Sequence, residues 1–161
     1  MVFAEATSVL PLIASDAYHK GEWKNRERKN FSKIFWLMIK KIKIGLIQSK
    51  SLGTIQSNID LAIKNIKKAA KKKAKIICLP ELFLTNYFCQ TESHSNFKLA
   101  EKIPGKISGI FCDLAKELGV VLNITMFEKK TSGFYHNTSI IINENGNILS
   151  KYRKNQKTDT V

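Results

Sequence analysis

Hydrophobic and polar positions settle into regular patterns only from residue 42 onward. Ile42 to Gln48 (IKIGLIQ) is a short run rich in β-branched residues, as a buried strand requires. After Gly53-Thr54, apolar residues recur at Ile55, Ile59, Ala62, Ile63, Ile66 and Ala70. Steps of three and four put one stripe on one side of a helix, with Thr54 as its N-cap. Lys75 to Glu81 (KIICLPE) predicts a second buried strand ended by Pro80. Two such strands joined by a helix form a β-α-β unit with parallel strands.

Residues 82–106 read as a long loop carrying turn signals, among them Pro104-Gly105. A second helix is predicted over Ile107 to Leu118, with Ile110, Phe111, Leu114 and Leu118 inward and Gly119 as its stop. Val120 to Phe127 predicts a third strand, and Tyr135–Asn143 and Asn147–Tyr152 flank the turn Glu144-Asn145-Gly146 as a hairpin. The order β-α-β-α-β-β-β makes this a layered α/β fold with an antiparallel portion.

Residues 1–41 lack this periodicity. His19 to Ser32 (HKGEWKNRERKNFS) is polar and charged like a linker, and Phe31 to Lys40 is apolar and basic together. The chain therefore divides into an extension, 1–41, which carries no readable function, and a domain, 42–161. Val9 to Ala14 is apolar, but Glu5 precedes it, Asp16 follows it and no basic region leads in, so it does not read as a secretory signal. No apolar run approaches the roughly 20 residues a bilayer-spanning helix needs. Three cysteines cannot build a disulfide framework. These features together predict a cytoplasmic protein.

Composition changes the picture in one respect, a net charge of +14 from 27 basic and 13 acidic residues among 161. Such a charge raises the question of a nucleic-acid partner. Residues 1–41 hold eight basic and four acidic groups and the rest nineteen and nine, so the excess is spread out. The one dense cluster, Lys67, Lys68, Lys71, Lys72, Lys73 and Lys75, falls largely outside the apolar stripe of the first helix. A solvated helix face explains it more simply, and no nucleic-acid module accompanies it.

Candidate chemistry gathers where strands end. In open α/β sheets functional groups collect beyond the carboxyl ends of strands, and Glu81 directly follows IICLP. A carboxylate partly desolvated at the edge of an apolar strand suits general-base work. A strand-end glutamate is more often a cap or a surface group, so this signal alone is weak.

The segments CLPELFLTNYF, NFKLAEKIPG and AKELGVVLNITMFEKKTSGFYHNTSIIINENGNILSKYRK, in this order, resemble the carbon–nitrogen hydrolase (nitrilase) superfamily from about Ile42 to Lys154. Within it the chain is most similar to amidases acting on N-carbamoylputrescine. The resemblance implies part of an α-β-β-α sandwich, a Glu-Lys-Cys triad, no cofactor, no metal, and a small amide or ureido substrate; family relatives are homo-oligomers. It assigns Glu81 as the base and Lys154, in YRK, as the cation for the oxyanion, with Glu128 positioning Lys154. An intact relative would release ammonia and carbon dioxide from N-carbamoylputrescine through a covalent thioester.

The family's nucleophilic cysteine lies beyond the YRK motif, whereas this sequence ends seven residues after Lys154, with Asn155 and Gln156 in place of the usual continuation. A fold truncated before the nucleophile is therefore expected. Cys78 in its apolar strand and Cys112 near the apolar face of the second helix read as inert core residues. Cys89 lies on the long loop, at a position where related amidases carry a cysteine not used as the nucleophile. His19, His94 and His136 fit no metal-ligand spacing. The alternative reading is a catalytically inactive remnant or pseudoenzyme.

Overall fold

The computed structural model describes residues 2–6, 42–88 and 93–154 of the chain. They form one six-stranded sheet whose strands lie in sequence order. β1 (Val2–Ala6), β2 (Ile42–Leu46), α1 (Ile55–Lys71), β3 (Ile76–Cys78), α2 (Lys106–Leu118), β4 (Val121–Thr131), β5 (Phe134–Ile142) and β6 (Ile148–Arg153) follow one another along the chain. β2, β3 and β4 are parallel, as the β-α-β pattern requires. β5 and β6 continue antiparallel, with Leu122 opposite Ile142 and Ser139 opposite Tyr152.

Three features depart from the sequence reading. β1 adds an antiparallel edge strand inside the segment that carries no periodic signal, with Val2 opposite Leu46. At a sheet edge the backbone ladder can recruit a short segment with no side-chain pattern to announce it. The β4–β5 hairpin runs on to Thr131 and Phe134 around Gly133, because an antiparallel ladder continues through charged residues once its turn is set. The long loop contains a 3₁₀ helix, His94–Leu99, capped by the Ser93 hydroxyl, which accepts from the Ser95 N–H at 3.3 Å.

Both helices cover the same face of the sheet. The buried residues Ile59, Ala62, Ile66 and Ala69 of α1 and Ile107, Phe111, Leu114 and Ala115 of α2 meet Ile77, Leu122, Ile124, Met126, Ile140 and Ile142. Each such aliphatic side chain, once fully buried, contributes about 1.5–3 kcal/mol. The Thr54 hydroxyl caps α1 by accepting from the Ser57 N–H at 3.1 Å, and the lysines of α1 lie on its exposed side. Gly119 ends α2 in the left-handed conformation at φ 60°. Gly146, at φ 81°, brings the β5–β6 turn so close to α2 that a Cβ there would lie 2.6 Å from the Cys112 carbonyl oxygen. These contacts make one α layer on one β layer. Neither α1 nor α2 covers the opposite sheet face, where Phe97 of the 3₁₀ helix packs against Phe127 and Tyr135.

Cys78 belongs to that opposite face rather than to the helix-covered core. It lies opposite Asn123, whereas its neighbour Ile77 pairs with Leu122 and is fully buried. A three-residue strand rich in apolar letters does not reveal which face each residue takes.

Asn58 was not singled out by pattern, yet it ties α1 to the turn after β3. Its Oδ1 accepts from the Leu52 N–H at 2.7 Å. Its Nδ2 donates to Ser51 Oγ at 2.9 Å and to the Leu84 carbonyl at 2.8 Å. Buried at 3% exposure, it holds the segment 81–84, where Leu82 adopts φ 49°. Asn58→Ala is expected to destabilise the fold by about 2–4 kcal/mol, since it strands the buried Leu84 carbonyl and unties the Leu52 N–H. Equilibrium urea unfolding at pH 7 measures this, and a loss below about 1 kcal/mol would show the ties to be dispensable.

Candidate active site

β6 runs antiparallel to β5, which runs antiparallel to β4, so β3, β4 and β6 all point the same way. The carboxyl ends of β3 and β6 therefore open at one edge of the sheet. Glu81 lies just past the first and Lys154 just past the second. Strands are about 4.8 Å apart, so side chains of this length, leaning inward over β4 and β5, can meet. Lys154 Nζ lies 3.3 Å from Glu81 Oε1, between residues 73 apart in sequence.

Asn137 of β5 completes the contact. Its Nδ2 donates to the same Glu81 Oε1 at 2.6 Å, and its backbone carbonyl accepts from the Lys154 N–H at 2.8 Å. With Thr125, Ser139 and Tyr152 these three residues line a cavity of about 190 Å³ on the face opposite α1 and α2. Ser139 Oγ donates to Asn123 Oδ1 at 2.7 Å, which fixes the cavity floor. Glu81 and Lys154 are both about half exposed, at 46% and 53%. Along the same face the polar cavity gives way to aromatic rings. Phe127 and Tyr135 stack at 5.7 Å, and Phe97 lies 4.5 Å from Tyr135.

Glu128 is held elsewhere. It shares the face of Leu122, Ile124 and Met126 and is 2% exposed. Arg153 grips it with two nitrogens, Nε to Oε2 at 2.7 Å and a terminal nitrogen to Oε1 at 2.9 Å. Lys151 Nζ donates to Oε1 at 2.9 Å and to the Ile103 carbonyl at 2.6 Å, while Thr138 Oγ1 donates to Oε2 at 2.7 Å. Burial by itself would raise the Glu128 pKa. The hydrogen bonds from Arg153, Lys151 and Thr138 outweigh it and bring the carboxyl down to about 2. Glu128, expected to position Lys154, makes no hydrogen bond to it among the described residues and forms an ion cluster with Arg153 and Lys151 on the other face. Adjacent strand residues point to opposite faces, and alternation from Met126 to Glu128 carried the signal.

Neither described free thiol is hydrogen-bonded to Glu81 or Lys154. Burial pushes the Cys78 thiol up, opposed by a hydrogen bond with Asn123. Burial and then the Asp113 carboxylate raise that of Cys112, on α2. Cys89 and His19 lie outside the described residues. His94 sits in the 3₁₀ helix and His136 lies opposite Glu128. No group of three or more metal-ligating side chains occurs among the described residues, and no helix there is long and apolar enough to cross a membrane.

The carbon–nitrogen hydrolase family model matches residues 43–160. The chain belongs to this family. The N-carbamoylputrescine amidase of Oryza sativa subsp. japonica is 35% identical over 120 residues, covering 74% of this chain and 40% of that protein. Omega-amidase NIT2-B of Xenopus laevis is 34% identical over 114 residues, covering 71% and 40%. Among solved structures, a carbon–nitrogen hydrolase from Helicobacter pylori G27 superposes with a TM-score of 0.69 at 32% identity, over 73% of this chain and 41% of that one. The chain thus spans about 40% of the length of the curated relatives it matches. Its α/β layer pair is part of the fold of this family.

Proposed function

We propose that this chain supplies the general base and the oxyanion cation of an amide-hydrolysing site, with Glu81 as base and Lys154 as cation. The observation that carries this reading is the 3.3 Å approach of Lys154 Nζ to Glu81 Oε1 at a cavity. In the reaction a thiol gives its proton to Glu81 as sulfur bonds to the carbonyl carbon. The oxygen takes the negative charge, which the Lys154 ammonium stabilises. Ammonia departs with the proton from Glu81 as the C–N bond breaks, and water hydrolyses the thioester to return the thiol. The thiol comes from outside the described residues in this scheme.

The finer substrate proposal is N-carbamoylputrescine, supported by the 35% identity to the rice amidase. Its ureido carbon would sit at the cavity and its alkyl chain along Phe127 and Tyr135. Loss of ammonia then leaves a thiocarbamate on the thiol, water releases the carbamic acid and frees the thiol, and the carbamic acid loses carbon dioxide to give putrescine. A second reading, binding without cleavage, is favoured by one observation: the described thiols are pushed toward the protonated form and lie off the Glu81–Lys154 pair.

The test is ammonia release by the purified chain from N-carbamoylputrescine and from a simple primary amide, beside saturable binding followed by amide-resolved NMR. Release that disappears with Glu81→Gln supports the hydrolase. Saturable binding without release supports the second reading. Neither release nor binding overturns both.

A further inference from the structure

We propose that Asn137 is a positioning residue of this site, clamping Glu81 by Oε1 so that Oε2 remains as the proton acceptor. The proposal rests on the reading of Glu81 as the base and adds the group that aims it.

The carboxamide orientation is fixed by chemistry. Its contact with Glu81 Oε1 is 2.6 Å, and a carbonyl oxygen so close to a carboxylate oxygen would repel it, so the nitrogen must face Glu81. The consequence is unfavourable for Asn137 itself. Its Oδ1 is shielded from solvent and has no hydrogen-bond partner among the described residues. Buried acceptors are nearly always paired, so the side chain gives up pairing at one end to hold the carboxylate at the other. The same residue fixes the second member of the pair, since its backbone carbonyl receives the Lys154 N–H at 2.8 Å.

Glu81 and Lys154 would not hold one another unaided. Both are about half exposed and their contact is 3.3 Å, and pairs of that kind contribute little by themselves. The short, charge-assisted bond from Asn137 is the stronger restraint. Lys154 meets the same oxygen, and Oε2 has no protein hydrogen bond among the described residues. A thiol or water proton arriving from the cavity would therefore be taken by Oε2.

Carbodiimide coupling reads this geometry without needing turnover. The reagent activates a carboxylate, a neighbouring lysine amine displaces it to form an amide, and the reagent leaves as a urea. Mass spectrometry then gives the yield of the Glu81–Lys154 crosslink relative to Lys67–Glu117, an exposed pair at 3.2 Å on the helices. Asn137→Leu is expected to lower this ratio about fivefold, as the freed carboxylate samples other rotamers. A ratio within threefold of the wild-type value overturns the proposal. Should the Lys67–Glu117 crosslink also disappear, marking a failure to fold, Asn137→Ser is read by the same criterion, its hydroxyl being too short to reach Glu81. A lowered ratio in a protein that neither cleaves nor binds amides would sink the hydrolase reading while leaving the clamp in place. An unchanged ratio sinks the clamp whatever the turnover.

Discussion

Glu128→Gln is expected to lower the stability of the fold by about 3 kcal/mol at pH 7, the largest loss we anticipate from a single near-isosteric change. The substitution keeps the volume but removes the charge that Arg153 and Lys151 share. Both cations are only 34% and 25% exposed, and a partly buried cation without a counter-charge is costly. Thr138 would lose its bond to a charged acceptor, and Lys151, which also donates to the Ile103 carbonyl, would lose the carboxylate that holds it, loosening β6 from β4. The acid limb of the stability curve carries an independent signature. The folded carboxyl titrates at about 2, below its unfolded value, so its contribution is complete above about pH 5 and is lost as pH falls toward 2. That lowering corresponds to about 3 kcal/mol across the window. Urea midpoints measured from pH 7 to pH 2 should fall more steeply for the wild type than for Glu128→Gln. Coincident acid limbs, or a difference at pH 7 under 1 kcal/mol, would mean the cluster does not hold the sheet.

The second large effect concerns the proposed chemistry. Glu81→Gln is expected to reduce ammonia release by about 10²–10⁴-fold, the range for loss of a positioned general base. Lys154→Met should cost about 10²–10³-fold through the unprotected oxyanion. Because the two act on one transition state, the double variant should lose little more than Glu81→Gln alone. Losses that simply multiply would point to independent roles. Both side chains are half exposed on the face opposite α1 and α2, so unfolding free energies should stay within about 0.5 kcal/mol of the wild type, and a larger fall would mean that the pair serves stability instead.

How much of this was readable from the letters differs by residue. Thr54, Gly119 and the stripe Ile59, Ala62 and Ile66 follow from local rules, because capping and helical periodicity act within a few residues. Glu81 and Lys154 came from motif resemblance. Asn137 gave no local signal, and its neighbours Ser139 and Thr138 are equally polar letters in a strand. What distinguishes it is register: residue 137 faces the cavity while residue 138 faces Glu128. The same one-residue step separates Arg153, bound to Glu128, from Lys154, bound to Glu81.

The sequence by itself determined that α1 and α2 form, that β2, β3 and β4 alternate with them, and that the chain belongs with carbon–nitrogen hydrolases. Those properties rest on side chains close in sequence or on a motif string, so no distant contact was needed to read them. Only the tertiary structure decided which face of the sheet each charged residue occupies. Pairing across β3, β4, β5 and β6 joins residues up to 73 positions apart, and a strand's two faces are interchanged by a single step of register. That step places Glu81, Asn137 and Lys154 at one cavity and sends Glu128 to the other side.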